Sequence, residues 1–145
     1  MIEINLEEVL SESEVDVLIH KINAQNEQIL EDFKVYLQES GLAPKTIDRH
    51  TGNIEFYINT YLLYYDIESP DEGHYRLDDF FKGFFPTKAM WSSPAAVKEN
   101  ITSFKKFYKY LNELSFVSDK DYQSMLGVIK EEKESWIGMY DDEFD

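Results

Sequence analysis

The sequence predicts an all-α protein, a compact helical bundle of about five or six helices. Two observations carry that prediction. Apolar residues recur at spacings of three, four and seven along most of the 145-residue chain, and no strand-like alternation persists for more than a few residues. Helix-start and helix-stop residues also divide the chain into discrete segments. With 43% hydrophobic and 15% aromatic residues the chain buries a real core, which excludes a disordered tail protein. It has no cysteine, so disulfides, thiolate nucleophiles, Cys-ligated zinc and iron–sulfur clusters are excluded together.

Each element has a local reason. Ser11-Glu12-Ser13-Glu14 is a capping-box pattern placed before Val15, Leu18, Ile19, Ile22, Ile29, Leu30, Phe33 and Leu37. This reads as one long helix, or two abutting ones broken near Asn23 to Asn26, stopping at Ser40-Gly41 with Gly41 in the left-handed position. Pro44 suits the first turn of a second helix, whose stripe is Ile47, Ile54, Ile58, Tyr61, Leu62 and Tyr65. Asp66 to His74, with its Pro and Gly, reads as a loop. Leu77 to Phe85 reads as a short aromatic helix closed by Pro86. Ser92-Ser93-Pro94 starts a helix with Val97, Ile101, Phe104, Tyr108 and Leu111 on one face and Phe107 beside it. Ser118-Asp119 caps a last helix carrying Tyr122, Met125, Leu126, Ile129, Trp136 and Ile137, followed by an acidic tail from Asp141 to Asp145.

The net charge of −15 is unevenly spread. Residues 1–32 carry −8, residues 66–86 carry −4 and residues 119–145 carry −6, whereas 33–65 are neutral and 87–118 carry +3. Phosphate neutralisation supplies most non-specific affinity for nucleic acid, so any such surface must lie on the two middle segments. The N-terminus carries Glu3, Glu7 and Glu8 with no basic region, which predicts no signal peptide. No apolar run approaches the roughly 18 residues needed to span a bilayer. The expectation is a cytoplasmic protein with no membrane partner.

Enzyme constellations are thin. His20, His50 and His74 lie far apart, without a His or carboxylate partner at metal-ligand spacing, and are expected at the surface or half-buried. Ser92-Ser93 lacks the GxSxG context, and helix capping accounts for it. There is no phosphate-cradling glycine loop. Asp78-Asp79 and Glu131-Glu132 read as solvated helix faces rather than acid/base dyads. No catalytic residue, metal or cofactor is therefore expected. The basic residues say more. Lys45 and Arg49 stand at i and i+4 on the opening turns of the second helix, and Lys98, Lys105 and Lys109 share one polar face further on. Both helices begin with Pro or Ser-Pro, so their N-termini can aim backbone N–H groups at phosphates.

The order of these segments resembles a known family. Ile29 to Leu37 (ILEDFKVYL), then Ser40-Gly41-Leu42, then Thr46 with His50, resembles the opening of the core-binding domain of tyrosine recombinases, the phage integrase N-terminal SAM-like domain. Ala43 stands where that family usually has Ser, Thr46 matches, and His50 replaces a usual Tyr. Ser92 to Leu111 (SSPAAVKENITSFKKFYKYL) is similar to the family's last core helix, with Asn100, Phe104, Phe107, Tyr108 and Leu111 in its signature places.

The resemblance covers about residues 26–118. It implies an acidic helical extension over 1–25, a core-binding-like domain over 26–118, and a C-terminal helix with tail over 119–145. It also implies contacts with double-stranded DNA from Lys45, Thr46 and Arg49, with Lys98, Lys105 and Lys109. The family's catalytic Arg, Lys, His-x-x-Arg and nucleophilic Tyr have no counterpart, and Arg49 and Arg76 are the only arginines. The implied function is a free-standing, non-catalytic DNA-binding accessory from a mobile element, working in DNA integration or recombination. The alternative is a protein-interaction module or DNA mimic whose acidic ends bind a recombinase or another basic protein. Of the aromatics Phe80, Phe81, Phe84, Phe85, Trp91 and Trp136, most are expected in the core.

Overall fold

A computed structural model describes residues 1–3 and 11–141. Glu7, Glu8 and the acidic tail beyond Asp141 lie outside the described residues. Those residues form six α-helices with short π and 3-10 turns and no strand: α1 Glu12–Glu39, α2 Pro44–Glu55, α3 Leu77–Asp79, α4 Phe85–Lys88, α5 Pro94–Glu113 and α6 Asp119–Gly138. The chain divides into two units, Met1–Gly73 and His74–Asp145.

In the first unit α1 is one unbroken helix; the break near Asn23 to Asn26 does not occur. Its start is the predicted capping box. Ser11 Oγ accepts from the Glu14 backbone N–H, while Glu14 Oε1 accepts from the Ser11 N–H at 3.0 Å. The bond from the Ser11 N–H, with the Ser11 hydroxyl, holds the Glu14 carboxyl below the usual carboxylate range. Its end is a Schellman motif. Gly41 takes φ +84°, its N–H donates to Gln38 O, and the Leu42 N–H donates to Leu37 O. Ile22, Leu30, Phe33 and Leu37 are buried, as is Asn26. Val15, Leu18, Ile19 and Ile29 are only half-buried.

Helix α2 runs on into a π-helical turn, Phe56–Tyr61. The Asn26 Nδ2 reaches this turn from α1, donating to Ile58 O at 3.3 Å and to Asn59 Oδ1 at 2.8 Å. Ile47, Ile54, Ile58, Tyr61 and Leu62 are buried as expected, and Tyr57 joins them. Tyr65 does not, because helical geometry stops at Tyr61 and the following turn leaves it 62% exposed. His50 corrects the surface expectation: it lies on the same face as Ile47 and Ile54 and is buried. The stretch read as a loop is also more ordered. Pro70–Tyr75 forms a 3-10 turn, with Glu68, Ser69, Pro70 and Gly73 buried. Tyr57 Oη donates to Gly73 O at 2.6 Å and Gln25 Nε2 donates to Ser69 Oγ at 3.4 Å, so these polar groups have partners and can leave water.

The second unit is built on aromatic packing. Helix α3, a π turn over Phe80–Phe84 and α4 follow one another without a gap. Pro86 therefore does not close the segment. It sits at the second position of α4, and the helix continues to Lys88. Phe80 and Phe81 meet the Phe104 ring edge-on at 5.7 and 5.5 Å, and Phe81 stacks on Trp136 at 4.6 Å. Helices α5 and α6 pack together across a short connection. There Ser115 takes φ +66°, and Phe116 N–H donates to Leu111 O, giving a second Schellman ending with serine in the glycine position. Asn112 Nδ2 braces the connection, donating to Val117 O and Asp119 Oδ1.

The paired carboxylates are not simply solvated. Lys82 Nζ lies 2.9 Å from Glu132 Oε1 and 3.4 Å from Asp78 Oδ1, and Asp78 Oδ1 also accepts from the Trp136 indole. The Glu132 hydrogen bond raises the Lys82 pKa above the usual lysine value.

Candidate nucleic-acid interface

Helix α5 positions the strongest basic feature. Ser93 Oγ accepts from the Ala96 N–H at 3.0 Å, and Pro94 opens the first turn. One face buries Val97, Ile101, Phe104, Tyr108 and Leu111, as the stripe predicted, with Phe107, Asn100 and Ser103. Buried polar groups there are satisfied locally: Asn100 Nδ2 donates to Ala96 O and Ser103 Oγ to Glu99 O. The opposite face is left to Lys98, Thr102, Lys105 and Lys109, all exposed. They stand at i, i+4, i+7 and i+11, so one helix face presents them as a row about 16 Å long. Lys106 is half-buried beside it. None of Lys98, Lys105 and Lys109 is in an ion pair among the described residues.

The local sequence makes this region basic in an acidic chain. Residues 80–112 hold six lysines and one acid, Glu99, and no acid occurs between Asp79 and Glu99. Of these, Lys82 is neutralised in place, by Asp78 and Glu132.

The other predicted residues lie in the first unit. Lys45 and Arg49 are exposed on successive turns of α2, while Thr46 is half-buried and less available. Ala43 at the N-cap makes no side-chain bond, leaving the first-turn N–H groups of α2 without a side-chain acceptor from it. The structure thus brings together Lys45 with Arg49, and separately Lys98, Lys105 and Lys109.

Sequence reasoning missed Thr102, which completes the α5 row, and it counted Trp91 among mostly core aromatics. Phe80, Phe81, Phe84, Phe85 and Trp136 are buried, but Trp91 is 57% exposed. The acid-free stretch around it was the available signal.

A second surface has the opposite sign. Between α1 and α2 lies a groove of about 550 Å³ lined by Ala24, Glu27, Gln28, Leu30, Glu31, Thr51 and Glu55.

Among the described residues no group of three or more His, Asp or Glu side chains is placed to hold a metal ion. His74 Nε2 instead lies 3.6 Å from Asp121 Oδ2. No described helix is long and apolar enough to cross a membrane. The fold and site thus define an all-α protein with a lysine-faced helix. Comparison with protein-family models, curated proteins and solved structures finds no match to the chain.

Proposed function

We propose that this protein is a non-catalytic DNA-binding accessory of the core-binding kind, acting in the cytoplasm in a DNA integration or recombination setting. The observation that carries this reading is the exposed row Lys98, Lys105 and Lys109, whose opposite helix face is spent on the core. Lysines so placed contact phosphates and fix register while reading few bases. Lys45 and Arg49 on α2 would add phosphate contacts of the same kind.

The test is fluorescence anisotropy with a labelled random-sequence duplex, titrated at low and then near-physiological salt. The expected result is micromolar or tighter binding that weakens steeply with salt, and a Lys98→Glu/Lys105→Glu variant that binds at least tenfold more weakly. Salt-insensitive binding, or an unchanged affinity in that variant, would overturn the reading.

The acidic groove favours a second reading, a module that docks a basic protein. Glu27, Glu31 and Glu55 converge there from α1 and α2. Capture of a basic partner that is lost in Glu27→Lys/Glu31→Lys, with no shift of any DNA, would favour it.

A further inference from the structure

We infer that Met90 and Trp91 form an apolar wedge that stacks on unpaired or unstacked bases, so that the protein prefers distorted DNA to a regular duplex. The inference rests on the DNA-binding reading and names the form of DNA that the site selects.

The wedge is built, not frayed. The Ser92 N–H donates to Ala89 O at 3.1 Å, which places Met90 and Trp91 at the two central positions of a tight turn between α4 and α5. Both ends of the turn are fixed, by Ala89, which is buried, and by Ser93, which caps α5. Turn centres are ordinarily occupied by Gly, Pro, Asn, Asp or Ser, which suit the turn's backbone angles or hydrogen-bond its backbone groups. Here they hold a Met 98% exposed and a Trp 57% exposed. Exposing such a pair on this corner gives up burial that the fold takes from Trp136 and most phenylalanines.

Charge identifies the occupant. The nearest charged residues on either side in sequence are Lys88 and Lys98, and Lys98 begins the α5 row. An aromatic beside a basic track is the arrangement that binds nucleic-acid strands, the ring stacking on a base while lysines follow the phosphates. Apolar side chains inserted at a base step act likewise in proteins that bend DNA. A membrane fits less well. An interfacial helix buries an apolar face in lipid, whereas the apolar face of α5 is inside the protein and only two side chains remain.

The experiment compares a plain duplex with the same duplex carrying a two-nucleotide bulge, using wild type, Trp91→Ala, Met90→Ala/Trp91→Ala and Lys98→Glu/Lys105→Glu. Wild type is expected to bind the bulged duplex about tenfold more tightly, within the contribution of one base–aromatic stack. Trp91→Ala should lose that preference yet bind the plain duplex as wild type does, with unchanged circular dichroism. A 2-aminopurine in the bulge should be quenched by wild type and not by Trp91→Ala. Equal binding of both duplexes by wild type overturns the wedge while leaving the DNA-binding reading intact. A preference that survives in both Trp91 variants does the same. No binding of either duplex overturns both. Shielding of Trp91 from acrylamide by phosphatidylserine vesicles, without any by DNA, also overturns the wedge.

Discussion

The indole Nε1 of Trp136 donates to Asp78 Oδ1 at 2.8 Å, joining the last turns of α6 to the start of α3 across 58 residues of chain. The ring itself is fully buried and stacks on Phe81. A buried aromatic N–H needs an acceptor, and a carboxylate is a strong one. Asp78→Ala is expected to cost about 1–3 kcal/mol, since it orphans the indole N–H. Asp78→Asn keeps an acceptor and should cost less. Chemical denaturation followed by near-ultraviolet circular dichroism reads both; equal stability of the alanine variant and wild type would contradict the assignment.

Asn26 plays the same part in the first unit. Its Nδ2 satisfies the Ile58 carbonyl inside the π-helical turn, where the regular bonding pattern is interrupted. Asn26→Leu should therefore destabilise by about 1–3 kcal/mol, because a buried acceptor loses its donor. Equilibrium urea unfolding measures this. A variant as stable as wild type would show that the turn needs no external donor.

The two Schellman endings make a matched pair. Gly41 at φ +84° has nothing within 4 Å of where a Cβ would stand, so Gly41→Ala meets backbone strain alone, about 1 kcal/mol. Ser115 already bears such strain at φ +66°. Ser115→Gly should stabilise by up to about 1 kcal/mol. Melting temperatures moving in opposite directions in the two variants check the argument.

The phosphate-contact prediction is quantitative in its salt dependence. Lys98→Ala and Lys105→Ala should each reduce the slope of log K against log salt by about 0.9, as one fewer counterion is released. Both side chains are exposed, so folding stability should change by less than about 0.5 kcal/mol. Anisotropy at four salt concentrations, beside thermal melts, separates the two effects.

Glu72 supplies a pH signature. Partial desolvation, helped by the negative charges of Asp71, Glu68 and Glu3, raises its pKa above the ordinary 4.5. The folded protein thus holds that proton more tightly than the unfolded chain, and the resulting stability is present below pH 4.5 and lost as pH rises through the folded-state value. Glu72→Gln should melt higher than wild type at pH 7, with the gap closing below pH 4.5. A gap independent of pH would remove the electrostatic cause.

Helix boundaries were legible where their signals are local. Ser11 with Glu14, Gly41, Ser93 before Pro94, and Ser118 all act on backbone groups within a few residues, and the structure places each as a cap. The α5 lysine row was equally legible, because helical periodicity alone decides which residues oppose Val97, Ile101 and Phe104. Tyr65 and Pro86 were misjudged because the π turns over Phe56–Tyr61 and Phe80–Phe84 shift where each helical segment ends, and that shift has no local sequence signal.

The sequence by itself determined the all-α class, most helix starts and stops, and which face of each long helix carries charge. Those follow from interactions spanning one or two turns. Only the tertiary structure decided the fate of polar and aromatic side chains whose partners come from far along the chain. Asn26 is buried because Ile58 meets it, Asp78 is held because Trp136 reaches it, and Trp91 is left 57% exposed in the turn at Ala89–Ser92. Such outcomes depend on which surfaces pack together, and packing couples residues that composition and periodicity treat as independent.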